Sequence, residues 1–181
     1  MNRLKRYWSP TLLGMLLMAV LVGVGSPGTD VSAQATGRRQ LIIPAAHFYP
    51  INQAVAYWNN GHSLLSTDTI PVTFLAPVQF VVPYYATVEK LELMAFDNTS
   101  GGRIRVWLYN VKPTILGPST MAAIDTGVLF QSATKPRTWV DSTITNATVR
   151  PAEAAYVQLE IDPAGLALEV YGVRVWYHPG F

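Results

Sequence analysis

Short runs of alternating apolar and polar residues, punctuated by Pro and Gly, follow one another from residue 41 to the end of the chain. These runs are rich in Val, Ile, Thr, Tyr, Trp and Phe, and none combines a helical period with capping residues. The pattern predicts strands at about residues 41–47, 70–75, 78–83, 87–96, 103–111, 126–131, 138–149, 154–161 and 166–178. So many short strands in one chain predict an all-β sandwich or barrel.

The remaining stretches are interpreted as loops within one domain. Residues 48–69 form the longest irregular stretch, with at most one short helical turn around Asn52–Trp58, and residues 112–125 form the next. Neither has the composition of a linker between domains. We therefore expect a flexible start over residues 34–40 and a single β-sandwich domain over residues 41–181.

The first 33 residues differ from the rest and have the three parts of a Sec-type signal peptide. A basic start is followed by an apolar, helix-forming run from Leu12 to Val24 and then by small residues that end at Ala33. This run is shorter than the roughly 20 residues that span a bilayer, so an uncleaved membrane anchor is the less favoured alternative. We expect cleavage after Ala33 and a mature protein that is periplasmic, bound at the cell surface or secreted, without a membrane anchor.

Cysteine content and charge narrow the setting further. The chain has no Cys and therefore no disulfides, which favours a bacterial over a eukaryotic exported protein. The chain has 13 Lys and Arg against 11 Asp and Glu, but the leader holds three of the bases and one of the acids, so ten of each remain (13 − 3 and 11 − 1). A neutral chain without a basic cluster is not expected to bind nucleic acid, and its weak electrostatic repulsion favours association with a surface or with itself.

Apolar residues alternate with aromatic and basic ones along the run over residues 103–111. The apolar side, which we expect to face the core, comprises Ile104, Val106 and Leu108. The opposite side comprises Arg103, Arg105, Trp107 and Tyr109. Residues 97–102 are turn formers, so this strand is predicted to form a hairpin with the strand over residues 87–96.

The last two predicted strands are interpreted as a second pair, joined by a turn over residues 162–165. The outward side of the first of them comprises Tyr156, Gln158 and Glu160. In the last strand the apolar alternation slips by one residue after Gly172, which predicts a β-bulge at Tyr171-Gly172. Beyond this bulge the outward residues are Arg174, Trp176 and His178.

Several segments between residues 70 and 178 resemble a group of small, uncharacterised exported bacterial β-sandwich proteins. They are Phe74-Leu75-Ala76-Pro77-Val78 and the segments 97–109, 121–123, 143–149 and 171–177. The resemblance implies a signal peptide followed by a single two-sheet antiparallel β-sandwich with jelly-roll-like connectivity. It implies no catalytic residue.

The residues themselves contain no pattern that indicates catalysis, a metal or a cofactor. The histidines, His47, His62 and His178, lack the spacing of metal ligands, and residues 97–102 lack the acidic ladder of a calcium loop. The chain has no Cys nucleophile and no Gly-x-Ser-x-Gly turn, and no pair of carboxylates stands out by its spacing. We predict a protein without a cofactor that is not an enzyme, and a small hydrolase with a carboxylate pair remains a third possibility.

Two non-catalytic functions fit the chain better. The first is an exported interaction or structural module at the cell surface, which associates with itself or with a surface partner. The alternative is a carbohydrate-binding module, because outward aromatic rings can stack on a sugar while polar groups bond its hydroxyls. Its candidate ligand-binding residues are Arg103, Arg105, Trp107, Tyr109, Tyr156, Arg174 and Trp176. Trp107 and Trp176 side by side in a groove would favour polysaccharide binding, whereas burial of both under residues 48–69 would favour a structural role.

Overall fold

The computed structural model describes residues 37–81, 84–129, 135–162 and 167–180. In these ranges the chain forms twelve β-strands and two short 3-10 turns, Ala45–His47 and Thr126–Leu129. The strands are β1 (Arg39–Pro44), β2 (Tyr49–Pro50), β3 (Tyr57–Asn59), β4 (Leu64–Ser66), β5 (Val72–Val78), β6 (Tyr85–Asp97), β7 (Ile104–Val111), β8 (Ser119–Asp125), β9 (Arg137–Asp141), β10 (Thr148–Val149), β11 (Ala154–Ile161) and β12 (Leu168–Gly180). The predicted signal peptide lies outside the described residues.

The strands form two antiparallel sheets, which confirms the predicted fold class. In the seven-stranded sheet the long strands β6 and β12 pair along their whole length. The free edge of β12 pairs with β1 and with β4, and β4 in turn pairs with β3. The free edge of β6 pairs with β9 and with β10. The five-stranded sheet has the order β2-β5-β11-β7-β8. Its central strands, β5, β11 and β7, present one side to the core and the other side outward.

One hydrophobic core lies between the sheets and receives side chains from both. The core side of β7 is the predicted one, because Ile104, Val106 and Leu108 are fully buried. On β12, Val173 and Val175 are buried after the bulge in the same way. Burial of these apolar side chains supplies the main driving force for folding and fixes which side chains face outward.

The two predicted hairpins are wrong. Strand β6 belongs to the seven-stranded sheet and β7 to the five-stranded sheet, so residues 98–103 cross between sheets. Strands β11 and β12 are divided between the sheets in the same manner. Such crossings fit the jelly-roll-like connectivity. The alternation in sequence identifies the buried side of each strand, but both sheets bury a side against the same core, so alternation does not reveal the partner.

Several strand boundaries also differ from the prediction. The sandwich begins at Arg39, so the last two residues of the expected flexible start belong to β1. Residues 48–69, expected to be irregular, contain β2, β3 and β4, and no helical turn is found over residues 52–58. These strands are only two or three residues long, which is too short to show a period of alternation.

The second half of the chain contains three further corrections. Residues 119–125, expected to be irregular, form β8, whose Ala122-Ala123 pair hides the alternation. The strand predicted over residues 126–131 is a 3-10 turn as far as residue 129, and residues 130–131 lie outside the described ranges. The strand predicted over residues 138–149 is divided into β9 and β10. In the first half of the chain, the strand predicted over residues 78–83 has only Val78, the end of β5, in a strand among its described residues 78–81.

Two irregularities in the β6–β12 pairing determine which side chains face outward. The register shifts between Val170 and Gly172, which confirms the predicted bulge. A Cβ at Gly172 would lie 2.7 Å from the carbonyl oxygen of Ile43, so only glycine fits between β12 and β1 here. A second shift inserts Glu89 into β6, a bulge that was not predicted. It leaves two consecutive charged residues, Glu89 and Lys90, both partly exposed.

Candidate functional site

The sequence-predicted ligand-binding residues separate onto two outer faces of the sandwich. Arg105, Trp107 and Tyr109 on β7 and Tyr156 on β11 belong to the outward side of the five-stranded sheet, called here the five-stranded face, with Arg103 at its end just before β7. The remaining two candidates, Arg174 and Trp176 on β12, belong to the outward side of the seven-stranded sheet, called here the seven-stranded face. Trp107 and Trp176 therefore do not share a groove.

The five-stranded face consists of rows of side chains that cross the strands, because paired residues on neighbouring strands point to the same side. The row nearest the middle comprises Ala123, Trp107, Gln158, Leu75 and Tyr49. On one side of it lies the row Thr120, Tyr109, Tyr156 and Pro77. On the other side lies the row Asp125, Arg105, Glu160 and Thr73. Aromatic, amide and charged groups thus lie side by side on one flat surface.

The segment 48–69 does not roof this face. Strand β2 continues the five-stranded sheet at its edge, where Tyr49 pairs with Leu75. Strands β3 and β4 belong to the other sheet. The ring of Tyr57 meets Phe74, a fully buried core residue, at 5.4 Å between centroids. The side chains of Trp107, Tyr109 and Tyr156 are all partly exposed.

Trp107 has neighbours of very unequal size. On the β8 side its cross-strand neighbour is Ala123, an exposed residue whose side chain is a single methyl group. On the β11 side its neighbour is Gln158. The guanidinium carbon of Arg105 lies 5.7 Å from the centre of the indole ring. The ring is therefore supported on one side by polar groups and has room beside it over Ala123.

Tyr109 and Tyr156 form a directly opposed cross-strand pair. Their ring centroids are 5.1 Å apart and the ring planes are tilted by 32°. At this separation the two rings support each other, in the offset arrangement that aromatic pairs prefer. Burial, followed by the influence of Tyr109, raises the pKa of Tyr156, so its hydroxyl remains neutral and can donate a hydrogen bond.

Ion pairs hold the charged end of the face. Arg103 bonds Asp162 at 2.8 Å and lies 3.5 Å from Asp125. Arg105 bonds Glu160 and lies 3.4 Å from Asp162. The bond to Asp162, together with the charge of Asp125, holds the pKa of the Arg103 guanidinium above its usual range. Three carboxylates thus surround two arginines, and the cluster carries a formal charge of −1.

Trp176 on the seven-stranded face has a different environment. Three cationic groups, those of Lys90, Arg38 and Arg174, lie 4.7, 4.8 and 5.9 Å from the centre of its ring. Glu92 joins two of them, at 2.6 Å from Lys90 and 3.0 Å from Arg174. Such cation–ring contacts occupy the ring faces that a sugar would need. This tryptophan is part of an ionic cluster with three cations near its ring, whereas Trp107 has one, Arg105.

Glu89 and Glu92, the two glutamates near Trp176, owe their position on the seven-stranded face to the bulge in β6. A carboxylate oxygen of Glu89 lies 2.7 Å from Arg38 and the other lies 2.7 Å from His178, while its neighbour Lys90 lies on Trp176. Glu92 is 6% exposed, although it lies on the outward side of β6. Burial disfavours its ionisation, but hydrogen bonds, led by that of Lys90, outweigh burial and lower the pKa of Glu92.

Some residues of the five-stranded face were not among the predicted ligand-binding residues. Gln158 and Glu160 were predicted to face outward, and the structure confirms this and places them beside Trp107 and Arg105. Tyr49, Leu75 and Ala123 carry no signal of their own in the sequence. They become part of the face only through the pairing of β2, β5 and β8.

The carboxyl groups of the described residues give no sign of a catalytic acid, which needs a raised pKa. Every described carboxyl group with a displaced pKa is shifted downward; these are Asp68, Glu92, Asp141 and Glu153. For Asp68 the cause is led by the backbone N–H of Ala56. Within the described ranges, no three His, Asp or Glu side chains form a group that could hold a metal ion.

Comparison with known proteins adds little beyond architecture. The sequence matches no family model and no curated protein. The xylan-binding module CBM15 aligns with 78% of this chain and 97% of its own length, at 9% identity and a TM-score of 0.42. The Podospora anserina GH26-CBM35 mannanase aligns at 10% identity and a TM-score of 0.39, and the Clostridium thermocellum CBM22-1-GH10 xylanase at 9% and 0.41. Each of these two alignments includes 81% of this chain and 28% of the enzyme.

No helix among the described residues is long and apolar enough to cross a membrane.

Proposed function

We propose that this protein is a non-catalytic module that binds carbohydrate on the five-stranded face. The observation that supports the proposal most strongly is the environment of the partly exposed Trp107, whose cross-strand neighbours are the small, exposed Ala123 on β8 and the polar Gln158 on β11. This is the function predicted from the sequence as the alternative. It does not include the seven-stranded face.

Trp107 offers an aromatic ring on which a sugar can stack. One side of a pyranose ring presents C–H groups, which are weakly positive, and the face of an indole ring is negative. A sugar that lies over Trp107 toward Ala123 gains this attraction and removes apolar area from water. The paired rings of Tyr109 and Tyr156 can contact the same ligand from the adjacent row.

Polar side chains next to Trp107 can form hydrogen bonds with the hydroxyl groups of a sugar. The amide of Gln158 lies directly opposite Trp107 and has both donor and acceptor groups for sugar hydroxyls. Arg105 and Glu160 follow in the next row and hold each other in place. Because these side chains are already fixed by their partners, a ligand does not pay the full entropy of ordering them.

The proposed module is also non-catalytic and exported. The module is non-catalytic, because the carboxylates of Glu160 and Asp162 at the charged end of this face are both engaged in ion pairs with arginine. It acts outside the cytoplasm after cleavage at Ala33, as the leader predicts. Mass determination of the protein recovered from culture medium or periplasm tests the second statement, and a first residue other than Gln34 would contradict it.

The main function predicted from the sequence, an interaction or structural module that associates with itself, stays a prediction. Association by strand addition needs a free sheet edge. At the β8 edge of the five-stranded sheet, the N–H of Thr145 bonds the carbonyl of Met121, and a carboxylate oxygen of Asp141 accepts the N–H of Ala123. The opposite edge strand, β2, has two residues. These edges give no support to such association.

The proposal is tested with the chain from Gln34 to Phe181, which contains the compact unit that begins at Ala35. Affinity electrophoresis and pull-down are carried out on a panel of soluble and insoluble polysaccharides. We expect retardation by at least one polysaccharide, loss of retardation in Trp107→Ala, and unchanged retardation in the control Trp176→Ala. Circular dichroism verifies that both variants are folded. Failure of every polysaccharide to bind, or equal binding by Trp107→Ala, would overturn the proposal.

A further inference from the structure

We infer that the ligand of the five-stranded face is a neutral, linear polysaccharide chain that crosses the strands from Trp107 to Tyr49. This inference rests on the proposed function and specifies the class of ligand and the direction in which it lies. Two independent observations support it: the row of side chains between these two aromatic residues, and the net negative charge of the arginine–carboxylate cluster at the charged end of the face.

The part of the middle row that runs from β7 to β2 has an aromatic residue at each end. Trp107 on β7 pairs with Gln158 on β11, which pairs with Leu75 on β5, which pairs with Tyr49 on β2. Tyr49 is 53% exposed, so its ring is available at the edge of the sheet. Between the ends lie an amide and an aliphatic side chain, which suit the hydroxyl-bearing rim and the apolar face of a sugar.

The spacing of the row determines the size of the ligand. Neighbouring strands lie about 4.8 Å apart, so the three strand steps from Trp107 to Tyr49 amount to about 14 Å. A single sugar ring cannot contact both aromatic residues over that distance. A chain of several sugars can, and it gains a second stacking contact only when it is long enough to reach Tyr49.

The flanking rows make the same direction the favoured one. On one side the Tyr109–Tyr156 pair adjoins Trp107 and Gln158. On the other side the Arg105–Glu160 ion pair adjoins the same two residues. Aromatic side chains on one flank and charged side chains on the other border the row, and an unbranched chain can lie between them.

The charge of the face selects against acidic sugars. Arg103 and Arg105 are the basic residues at this end of the face, and they are bound by Asp125, Glu160 and Asp162. The cluster is negative overall, so a uronate or a sulfate would meet repulsion and would have to displace a carboxylate. Hydroxyl groups need no such displacement, because a paired carboxylate or guanidinium retains further sites for hydrogen bonds.

The length of the ligand is tested by isothermal titration with xylo-, manno- and cello-oligosaccharides of two to six units. In the series that binds, affinity should rise beyond two units and then level off. Tyr49→Ala should lower the affinity for the longest oligosaccharide roughly tenfold and abolish the gain from two units onward. The matched control is Trp58→Ala, which removes a 57% exposed aromatic residue from β3, the edge strand of the other sheet.

The charge of the ligand is tested by comparing neutral arabinoxylan, glucomannan and hydroxyethylcellulose with polygalacturonate, alginate and heparin. We expect binding only among the neutral polymers. Binding of an acidic polymer as tight as that of any neutral one would overturn the inference, and so would an affinity that is independent of chain length and of Tyr49. In both cases loss of binding in Trp107→Ala would leave the proposed function standing. Absence of all binding would remove both.

Discussion

Trp107 and Trp176 occupy comparable places on the two faces of the sandwich, and their neighbours give them different roles. Each lies on the outward side of a strand that is paired on both edges. The cross-strand neighbours of Trp107 are Gln158 and Ala123, and those of Trp176 are Gln40 and Lys90. One small neighbour leaves room beside the first ring, whereas the second ring has three cations on it.

The contrast extends to the carboxylates beside the two rings. Glu92 on the seven-stranded face has a side chain that is 8% exposed and binds both Lys90 and Arg174. Glu160 on the five-stranded face is 17% exposed and binds Arg105. A buried ion pair stabilises a fold mainly in the sense that removing one partner is costly, whereas a more exposed group keeps hydrogen-bonding capacity for a ligand.

An outward aromatic residue on a sheet is not by itself a binding residue. Aromatic side chains are frequent in strands because they pack well against cross-strand neighbours. What distinguishes a candidate stacking surface is the size and charge of those neighbours. By this criterion the ionic cluster around Trp176 stabilises the sheet, and the five-stranded face is the candidate for binding.

The largest expected effect concerns the two carboxylates. Glu92→Ala leaves Lys90 and Arg174 without their shared partner in a largely buried place, and we expect a loss of about 3 kcal/mol in the free energy of unfolding. Glu160→Ala should cost about 1 kcal/mol, because Arg105 keeps Asp162 as a partner. Urea denaturation followed by circular dichroism measures both. Equal losses would contradict the conclusion that the ionic cluster around Trp176 stabilises the fold more than the ion pairs of the five-stranded face do.

A smaller effect is expected at the tryptophans. Trp176→Ala removes the ring that three cations contact and should lower the free energy of unfolding by about 2 kcal/mol. Trp107→Ala removes a ring with a single cation contact and one methyl-sized neighbour, and we expect a loss below about 1 kcal/mol. Thermal denaturation of the two variants in parallel gives the difference. A greater loss for Trp107→Ala would mean that this ring, too, is chiefly a structural element.

The sequence permitted correct prediction of what depends on alternation within one strand. The outward positions of Tyr156, Gln158 and Glu160 follow from the period of two, because a strand at a core must bury one side. The bulge at Tyr171-Gly172 was predicted for the same reason, since one inserted residue changes the phase of the pattern. Local geometry sufficed for these features.

Features that depend on pairing between strands could not be predicted in this way. Alternation does not show that β7 and β12 belong to different sheets, so the predicted site joined residues that lie on two faces. Tyr49 comes next to Leu75 through a two-residue strand, which is too short to have a period. The bulge at Glu89, by contrast, does have a signal in the sequence that was missed, because the buried apolar positions pass from Ala86 and Val88 to Leu91 and Leu93 across this polar pair.

The smallest expected effect is a difference in acid sensitivity between the faces. The pKa of Glu92 is lowered from its ordinary value of 4.5, since hydrogen bonds and the charges of Lys90 and Arg174 outweigh the effect of burial. The unfolded chain therefore binds a proton at Glu92 more readily than the folded protein does. This contribution to stability is complete above pH 4.5 and is lost as the pH falls through the lower, folded-state value.

Glu92→Gln removes this titration and nearly preserves the shape of the side chain. Between pH 6 and pH 3 the free energy of unfolding of the variant should therefore fall less than that of the unmodified protein. Urea denaturation at a series of pH values measures the two slopes. Parallel slopes would show that Glu92 titrates alike in the folded and unfolded chain. In that case the ionic cluster would hold Trp176 by packing, and the contrast between the two faces would rest on the size of the neighbouring side chains rather than on charge.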